Sequence, residues 1–316
     1  MTVLLAMTPE SQAPLWRARL QRALPHRRIV TPSEVGERTE IRYAVSWRHA
    51  AGALAGLPNL QAIFSLGAGV DHLFRDPLLP SAPLVRVVDD DLTNRMSEWV
   101  VLHALLHLRR QRLYDEAQAE RRWLDEDLEQ PAAKDVRIGL MGLGALGRDA
   151  ARKLSVIGFP VAGWSRAEKR VAGVACFHGR DGLDAMAAQT DILVALLPLT
   201  PETRGILDAR LFAKLARDGR LGGPILINAG RGGLQVEADI IAALESGVLQ
   251  AASLDVFETE PLPKESPLWR RPRVYVSPHS AAVSEPDAVT RNIAAQIAAY
   301  ERGEGLRNVV DRDLGY

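Results

Sequence analysis

The chain has 316 residues, enough for two α/β domains that each bury an apolar core. Its 39 Lys and Arg balance 39 Asp and Glu, and the Arg-rich runs at 17–28 and 109–122 are interleaved with apolar or acidic residues, which reads as solvated helix faces rather than a nucleic-acid track. Cys176 is the single cysteine, which excludes an internal disulfide and a cysteine-built zinc site, and no run approaches the roughly 18 apolar residues of a membrane span.

The first apolar run, Val3–Met7, meets Pro9 without the basic start and long apolar stretch of a signal peptide, so it reads as a strand, and a cytoplasmic protein is the expectation. Tyr43–Ser46, Ala62–Leu66 and Leu84–Val88 follow as short apolar runs between polar or helical stretches, the pattern of a parallel α/β sheet. A long helix is predicted from Ser97, whose hydroxyl would cap it, with Val100, Val101, Ala104, Leu105 and Leu108 at helical spacing. A second strand series runs through Val136–Met141, Val161–Trp164, Val174–Phe177, Ile192–Leu197, Ile225–Ala229, Ala251–Val256 and Val274–Val276, as in a doubly wound sheet. Residues 216–224 read as a glycine-rich loop, and a last helix over 284–302 presents Val289, Ile293 and Ile297 on one face.

The most informative segment is Val136 to Gly147. A buried strand runs into Gly142-Leu143-Gly144-Ala145-Leu146-Gly147 and then a helix, which is how a dinucleotide pyrophosphate is held. Gly142 would permit the tight turn, Gly144 the approach of the phosphates and Gly147 the close packing of helix on strand, with the anion on the helix N-terminus. The next strand ends in Trp164-Ser165-Arg166, about 20 residues on, where an acid would mark NAD. A hydroxyl and a guanidinium there, with Lys169 and Arg170 beyond, favour a 2′-phosphate, so NADPH is expected over NADH, which stays possible. The start of a solvated helix is the other reading of Arg166.

Polar residues follow three further strand ends, the positions where a ligand crevice forms in such sheets. They lie in Asn228-Ala229-Gly230-Arg231, in Asp255-Val256-Phe257-Glu258-Thr259-Glu260-Pro261 and in Ser277-Pro278-His279-Ser280-Ala281. Taken with the glycine turn, this order of Arg, Glu and His resembles the D-isomer-specific 2-hydroxyacid dehydrogenase family over nearly the whole chain. The resemblance implies that Arg231 binds the substrate carboxylate and carbonyl, that His279 is the acid/base and that Glu260 supports it. The chemistry agrees: reduction of a 2-oxo acid builds negative charge on the C2 oxygen, which an imidazolium can protonate. A carboxylate on the far ring nitrogen sets the tautomer, and an arginine fork suits a carboxylate beside a carbonyl.

The same resemblance places the loop Leu66-Gly67-Ala68-Gly69 against the substrate carboxylate, where consecutive backbone N–H groups would form a small nest. It carries Leu197, Pro198, Thr203, Ala229, Gly230, Asp255 and Ala281 over as cofactor contacts, with Met96 closing the same pocket. Asp255 would accept from the nicotinamide carboxamide, with turn capping as its other reading. A narrower likeness, in Ser46-Trp47-Arg48, the Gly-Ala-Gly-Val-Asp loop and the Trp164-Ser165-Arg166 end, is to the family's NADPH-dependent glyoxylate/hydroxypyruvate reductase A branch. Trp47 would then wall the pocket and favour two- and three-carbon oxo acids.

The expectation is therefore an α/β fold of two Rossmann-like or flavodoxin-like domains with parallel sheets and the active site in the cleft between them. Residues 1–96 with 283–316 would bind substrate, and 97–282 the dinucleotide. The implied activity is reduction of glyoxylate to glycolate and of hydroxypyruvate to D-glycerate in a homodimer, without metal, membrane or nucleic acid. Larger 2-oxo acids such as phenylpyruvate are the alternative substrates, and a non-catalytic dinucleotide-sensing interaction protein the alternative of another class.

Overall fold

The computed structural model describes residues 1–124 and 130–316 and divides into two compact units, Met1–Leu92 with Ser284–Tyr316, and Thr93–Val283. The division falls four residues before the expected boundary at 96. Among the described residues no helix is long and apolar enough to cross a membrane, and no group of His, Cys, Asp and Glu is arranged to hold a metal ion.

In chain order the first unit contains β1 (Thr2–Met7), α1 (Ala13–Ala23), β2 (Arg28–Val30), β3 (Ile41–Trp47), β4 (Ala62–Ser65) and β5 (Leu84–Val85). The strands form one parallel sheet in the order β2-β1-β3-β4-β5. β1 and β4 are buried along their whole length, as strands covered on both faces must be. β2 escaped the sequence reading: it is three residues long and its first, Arg28, continues an arginine-rich run.

The second unit contains α2 (Asp90–Leu108) from Thr93 onward, α3 (Gln111–Ala119), β6 (Ile138–Met141), α4 (Ala145–Ile157), β7 (Val161–Ser165), β8 (Ala175–His178), α5 (Gly179–Ala187), β9 (Ile192–Ala195), α6 (Ala209–Phe212), β10 (Ile225–Asn228), α7 (Glu237–Glu245), β11 (Ala251–Leu254) and β12 (Val274–Val276). Its seven strands are all parallel, in the order β12-β11-β10-β9-β6-β7-β8. The order reverses between β6 and β9, the switch point at which such sheets bind ligands beyond their strand ends.

The long helix starts earlier than predicted. Asp89 Oδ1 accepts from Leu92 N at 2.8 Å and caps α2, whereas Ser97 lies inside the helix. The Ser97 hydroxyl is 2.8 Å from the Thr93 carbonyl and 2.5 Å from Asp149 Oδ2, so it ties α2 to α4 instead of starting a helix. The final helix, α8 (Pro286–Glu301), is capped by Glu285 and returns to the first unit. There Val289, Ile293 and Ile297 join the core formed by Val3, Leu5, Leu20 and Phe64.

Candidate active site

Because the second sheet is parallel throughout, the segments after β6, β10, β11 and β12 emerge at one edge. The first is the glycine turn. Gly142 has φ +109°, a region that L side chains avoid. A Cβ on Gly147 would lie 1.8 Å from the Gly142 carbonyl oxygen, so only glycine lets α4 start this close to β6. Gly144 is the N-cap residue, and no protein atom lies within 4 Å of where its Cβ would be. Space is therefore left beside a helix N-terminus whose first N–H groups lack intrahelical partners. Ala145 and Leu146 open that helix.

Cations surround the turn. Lys169 Nζ and Arg148 Nε donate to the same Leu143 carbonyl, at 3.3 and 3.1 Å. Burial and the charge of Arg148 hold the Lys169 ammonium below its ordinary value. Arg148 was not singled out from the sequence, since one arginine in an amphipathic helix looks like any solvated residue. Arg166 lies close enough to Glu202 to help lower its carboxyl, after larger contributions from the Thr200 hydroxyl and a backbone N–H. That brings the Trp164-Ser165-Arg166 end towards the Leu197–Thr203 loop. The Ser165 hydroxyl is buried and donates to Ala167 O at 2.8 Å, closing its own turn. Thr203 Oγ1 donates to Pro198 O and accepts from Thr200 N, both at 2.8 Å, which shapes the second loop, while Leu197 is anchored in the core.

After β10, Asn228 is fully buried. Its side chain accepts from Gly230 N at 3.1 Å and donates to Gln235 Oε1 at 2.8 Å and to Arg231 O at 3.3 Å. This residue orients the Arg231 loop, a role with no sequence signal beyond its place at a strand end. Arg231 Nη1 donates to Gly230 O at 2.6 Å. A Cβ on Gly232 would lie 1.7 Å from Phe257 O, so the Arg231 loop presses directly on the segment that carries Glu260.

Glu260 and His279 meet. His279 Nδ1 is 2.9 Å from Glu260 Oε2 and 3.1 Å from Oε1, and Phe257 N also donates to Oε1 at 3.2 Å. The His279 side chain is about a third exposed, so the ring is open to solvent while the carboxylate holds one nitrogen. His279 takes the left-handed conformation, φ +54°, with its N–H on Asp255 O at 2.7 Å.

Asp255 is buried, and its carboxylate accepts from Ser277 Oγ at 2.6 Å, Ser280 N at 2.9 Å and Ala281 N at 2.9 Å. Its visible work is to fasten the turn on either side of His279, the capping reading of the residue. Met96, Ala229 and Ala281 share one buried cluster beneath these loops.

In the first unit, Leu66 is buried with its N–H on Ser46 O at 3.1 Å. The Gly67 N–H goes to Ser65 Oγ at 3.2 Å, so it is engaged inside the loop rather than forming part of the expected nest. The reason for glycine at 67 is different: a Cβ would lie 2.4 Å from Trp47 Cζ3, and the indole lies across that position. Trp47 also lies against His72, with ring centres 4.5 Å apart and planes tilted by 60°, and Ala68 and Gly69 follow at half-buried positions.

A dinucleotide-type sheet whose strand ends carry a glycine turn and an imidazole–carboxylate pair is the arrangement of an NAD(P)-dependent oxidoreductase. Residues 101–281 match the family model described as D-isomer specific 2-hydroxyacid dehydrogenase, NAD binding domain. The chain belongs to the D-isomer specific 2-hydroxyacid dehydrogenase family. It is 40% identical to glyoxylate/hydroxypyruvate reductase A of Serratia proteamaculans over 98% of both chains. Among solved structures it resembles the NADPH-dependent glyoxylate/hydroxypyruvate reductase of Sinorhizobium meliloti in complex with NADP and sulfate, at 50% identity and TM-score 0.92 over 100% of this chain and 99% of that one. A probable 2-hydroxyacid dehydrogenase from Rhizobium etli in complex with NADP, HEPES and L(+)-tartaric acid is 48% identical, with TM-score 0.94 over the same shares.

Proposed function

We propose that this oxidoreductase reduces small 2-oxo acids with NADPH, taking glyoxylate to glycolate and hydroxypyruvate to D-glycerate. The observation that carries the reading is the His279–Glu260 pair at the strand-end edge that also holds the glycine turn. The names and bound cofactors of the relatives support it, since the similar reductases are named for these two substrates and several solved relatives hold NADP or NADPH. The residues fit the dinucleotide: an open position at Gly144, the start of α4, the cations Arg148 and Lys169 on the Leu143 carbonyl, and Arg166 just past the end of β7. In this reading the second unit binds the cofactor and the first supplies substrate contacts from Trp47 and the loop Leu66-Gly67-Ala68-Gly69.

When bound, NADPH supplies hydride for the oxo carbon. Arg231 holds the substrate carboxylate through its planar fork of donors and polarises the adjacent carbonyl. His279 delivers the proton to the C2 oxygen from Nε2, because Nδ1 is committed to Glu260. Glu260 stabilises the imidazolium before transfer and keeps the ring oriented afterwards. Asp255 holds the turn that carries the ring, and its remaining acceptor capacity faces the nicotinamide carboxamide in this reading. Trp47 bounds the substrate pocket and favours short acids. The protein works in the cytoplasm as a homodimer, with Leu102, exposed on α2, on the contact face.

The test is NADPH oxidation, followed by absorbance, with glyoxylate, hydroxypyruvate, pyruvate and phenylpyruvate, each repeated with NADH. Faster turnover of the two named acids with NADPH is the expected result. Preference for phenylpyruvate or for NADH would replace the substrate or cofactor assignment, and no turnover would leave a dinucleotide sensor. Size-exclusion chromatography with light scattering tests the dimer.

A further inference from the structure

A second histidine–carboxylate pair lies in the first unit, and no step above uses it. Ser46 Oγ is 2.7 Å from His49 Nδ1, and His49 Nε2 is 3.0 Å from Asp76 Oδ2. The His49 and Asp76 side chains are 1% and 3% exposed, and Ser46 is fully buried. A hydroxyl, an imidazole and a carboxylate in line are the parts of a hydrolytic triad, but here the hydroxyl is sealed from any substrate, so the chain is not a nucleophile and its base. The same Asp76 also accepts from Gly52 N at 3.0 Å and Leu78 N at 2.9 Å. Burial works to raise the Asp76 carboxyl, but these N–H groups and the His49 ring outweigh it and hold the group below its ordinary value. Asp76 thus stays anionic and engages Nε2, which leaves Nδ1 for the Ser46 hydroxyl.

These bonds fasten three pieces of backbone together: β3 at Ser46, the turn at 49–52 and the turn at 76–78. Between Ser46 and His49 the chain must double back over two residues. It does so with Arg48 in the left-handed region, φ +47°, an uncommon conformation for a residue with a side chain. Trp47, the last residue of β3, packs partly against the core with its ring over Gly67, and Arg48 follows it with its guanidinium 5.7 Å from the centre of that ring.

We propose that Ser46, His49 and Asp76 are positioning residues that hold Trp47 against Gly67 and so set which 2-oxo acids fit. This inference rests on the substrate reading above and assigns its size selectivity to a buried brace rather than to the tryptophan alone. A bulky indole excludes a larger acid only if it cannot swing aside. Its rotamer is limited by contact with Gly67 and His72 on one side, and on the other by a backbone pinned at Ser46 and His49.

The experiment compares wild type, His49→Leu, Trp47→Ala and the double variant on glyoxylate, hydroxypyruvate and phenylpyruvate, with NADPH affinity measured separately by fluorescence. In His49→Leu the glyoxylate KM should rise roughly tenfold with a smaller change in kcat, and the phenylpyruvate-to-glyoxylate ratio of kcat/KM should rise by about the same factor, the scale of a pocket-shape change. NADPH affinity should not move. The double variant should select no differently from Trp47→Ala, since the brace has nothing left to hold. An unchanged selectivity ratio in His49→Leu, or additive effects in the double variant, overturns the brace. If His49→Leu does not fold, Ser46→Ala removes a single hydroxyl and carries the same comparison with a smaller shift. A wild type inactive on every 2-oxo acid defeats the substrate reading and the brace together, whereas an active wild type with unaltered selectivity in the variants defeats the brace alone.

Discussion

His279 and Glu260 face each other through one ring nitrogen, with Nδ1 2.9 Å and 3.1 Å from the two carboxylate oxygens, which leaves Nε2 as the nitrogen proposed to meet a substrate. Replacing His279 by Ala should lower kcat by about 100- to 10,000-fold, the usual worth of a positioned general acid. Glu260→Gln keeps the shape and loses the charge, so a smaller loss confined mainly to kcat is expected. Steady-state kinetics on both variants, with NADPH binding measured in parallel, separates chemistry from cofactor affinity.

Asp255 accepts hydrogen bonds from both sides of His279, so its replacement should be felt in catalysis as well as in folding. In Asp255→Asn one acceptor becomes an amide that meets the N–H of Ser280 or Ala281. The cost should be about 1–3 kcal/mol of stability, seen as a lower Tm, together with a drop in kcat as the His279 turn loosens. A variant with normal kcat and Tm, and altered only in cofactor KM, would return Asp255 to a purely cofactor-binding role.

Arg166→Asp places an anion where the 2′-phosphate is proposed to sit. The loss of charge-assisted bonds predicts that NADPH kcat/KM falls roughly ten- to hundredfold while NADH is affected little or improves. Equal losses with both cofactors would mean that Arg166 serves the loop near Glu202 rather than the phosphate.

A pH dependence of stability follows from α2. His103 Nδ1 and His107 Nε2 both lie 2.8 Å from Ser253 Oγ, with Tyr275 edge-on to the two rings. Burial pushes His103 down to about 4, and burial with the charge of His103 pushes His107 down to about 3, against 6.5 for a free ring. The unfolded chain therefore binds more protons than the folded one below pH 6.5, and stability falls as the pH is lowered from there towards 4. Urea titrations between neutral pH and about pH 5 should show the loss, and His107→Leu should flatten it. An equally steep fall in the variant would assign the effect to other groups.

Gly67→Ala tests the tryptophan wall directly. The added methyl would lie 2.4 Å from Trp47 Cζ3, so the indole must move. The glyoxylate KM should rise by roughly tenfold with NADPH affinity unchanged. Crystals of the variant would show whether the ring or the loop gives way.

Much of the second unit was legible because its motifs are local. The strand, the glycine turn and the helix after it run without a break from Ile138 to Ile157, and Gly142 and Gly147 each have a steric reason. His279 and Glu260 are 19 positions apart, and only their joint resemblance to a family pattern paired them. The helix start was misplaced because Ser97 and Asp89 are both good caps, and which one acts depends on Asp149, 52 residues beyond Ser97. The nest at Gly67 rests on the family resemblance and on backbone freedom, while the contact the structure shows there is with a ring 20 positions earlier. The bond between His49 and Asp76 spans 27 positions in apolar surroundings, where neither residue stands out. Contacts made across the fold by ordinary residues leave no local pattern to read.

The first unit is closed by residues 284–316. Val310 N donates to Leu84 O at 2.8 Å, Val309 bridges to Val85, and α8 completes the core around Leu20 and Phe64. On a ribosome the second unit, residues 93–283, emerges in one piece and can fold as soon as it is made. The first unit must wait with part of its apolar sheet uncovered, for roughly ten to forty seconds at about 5–20 residues per second. Its newly made strands would spend that interval as a binding surface for chaperones, so the unit whose strands are made before the other is the later of the two to mature.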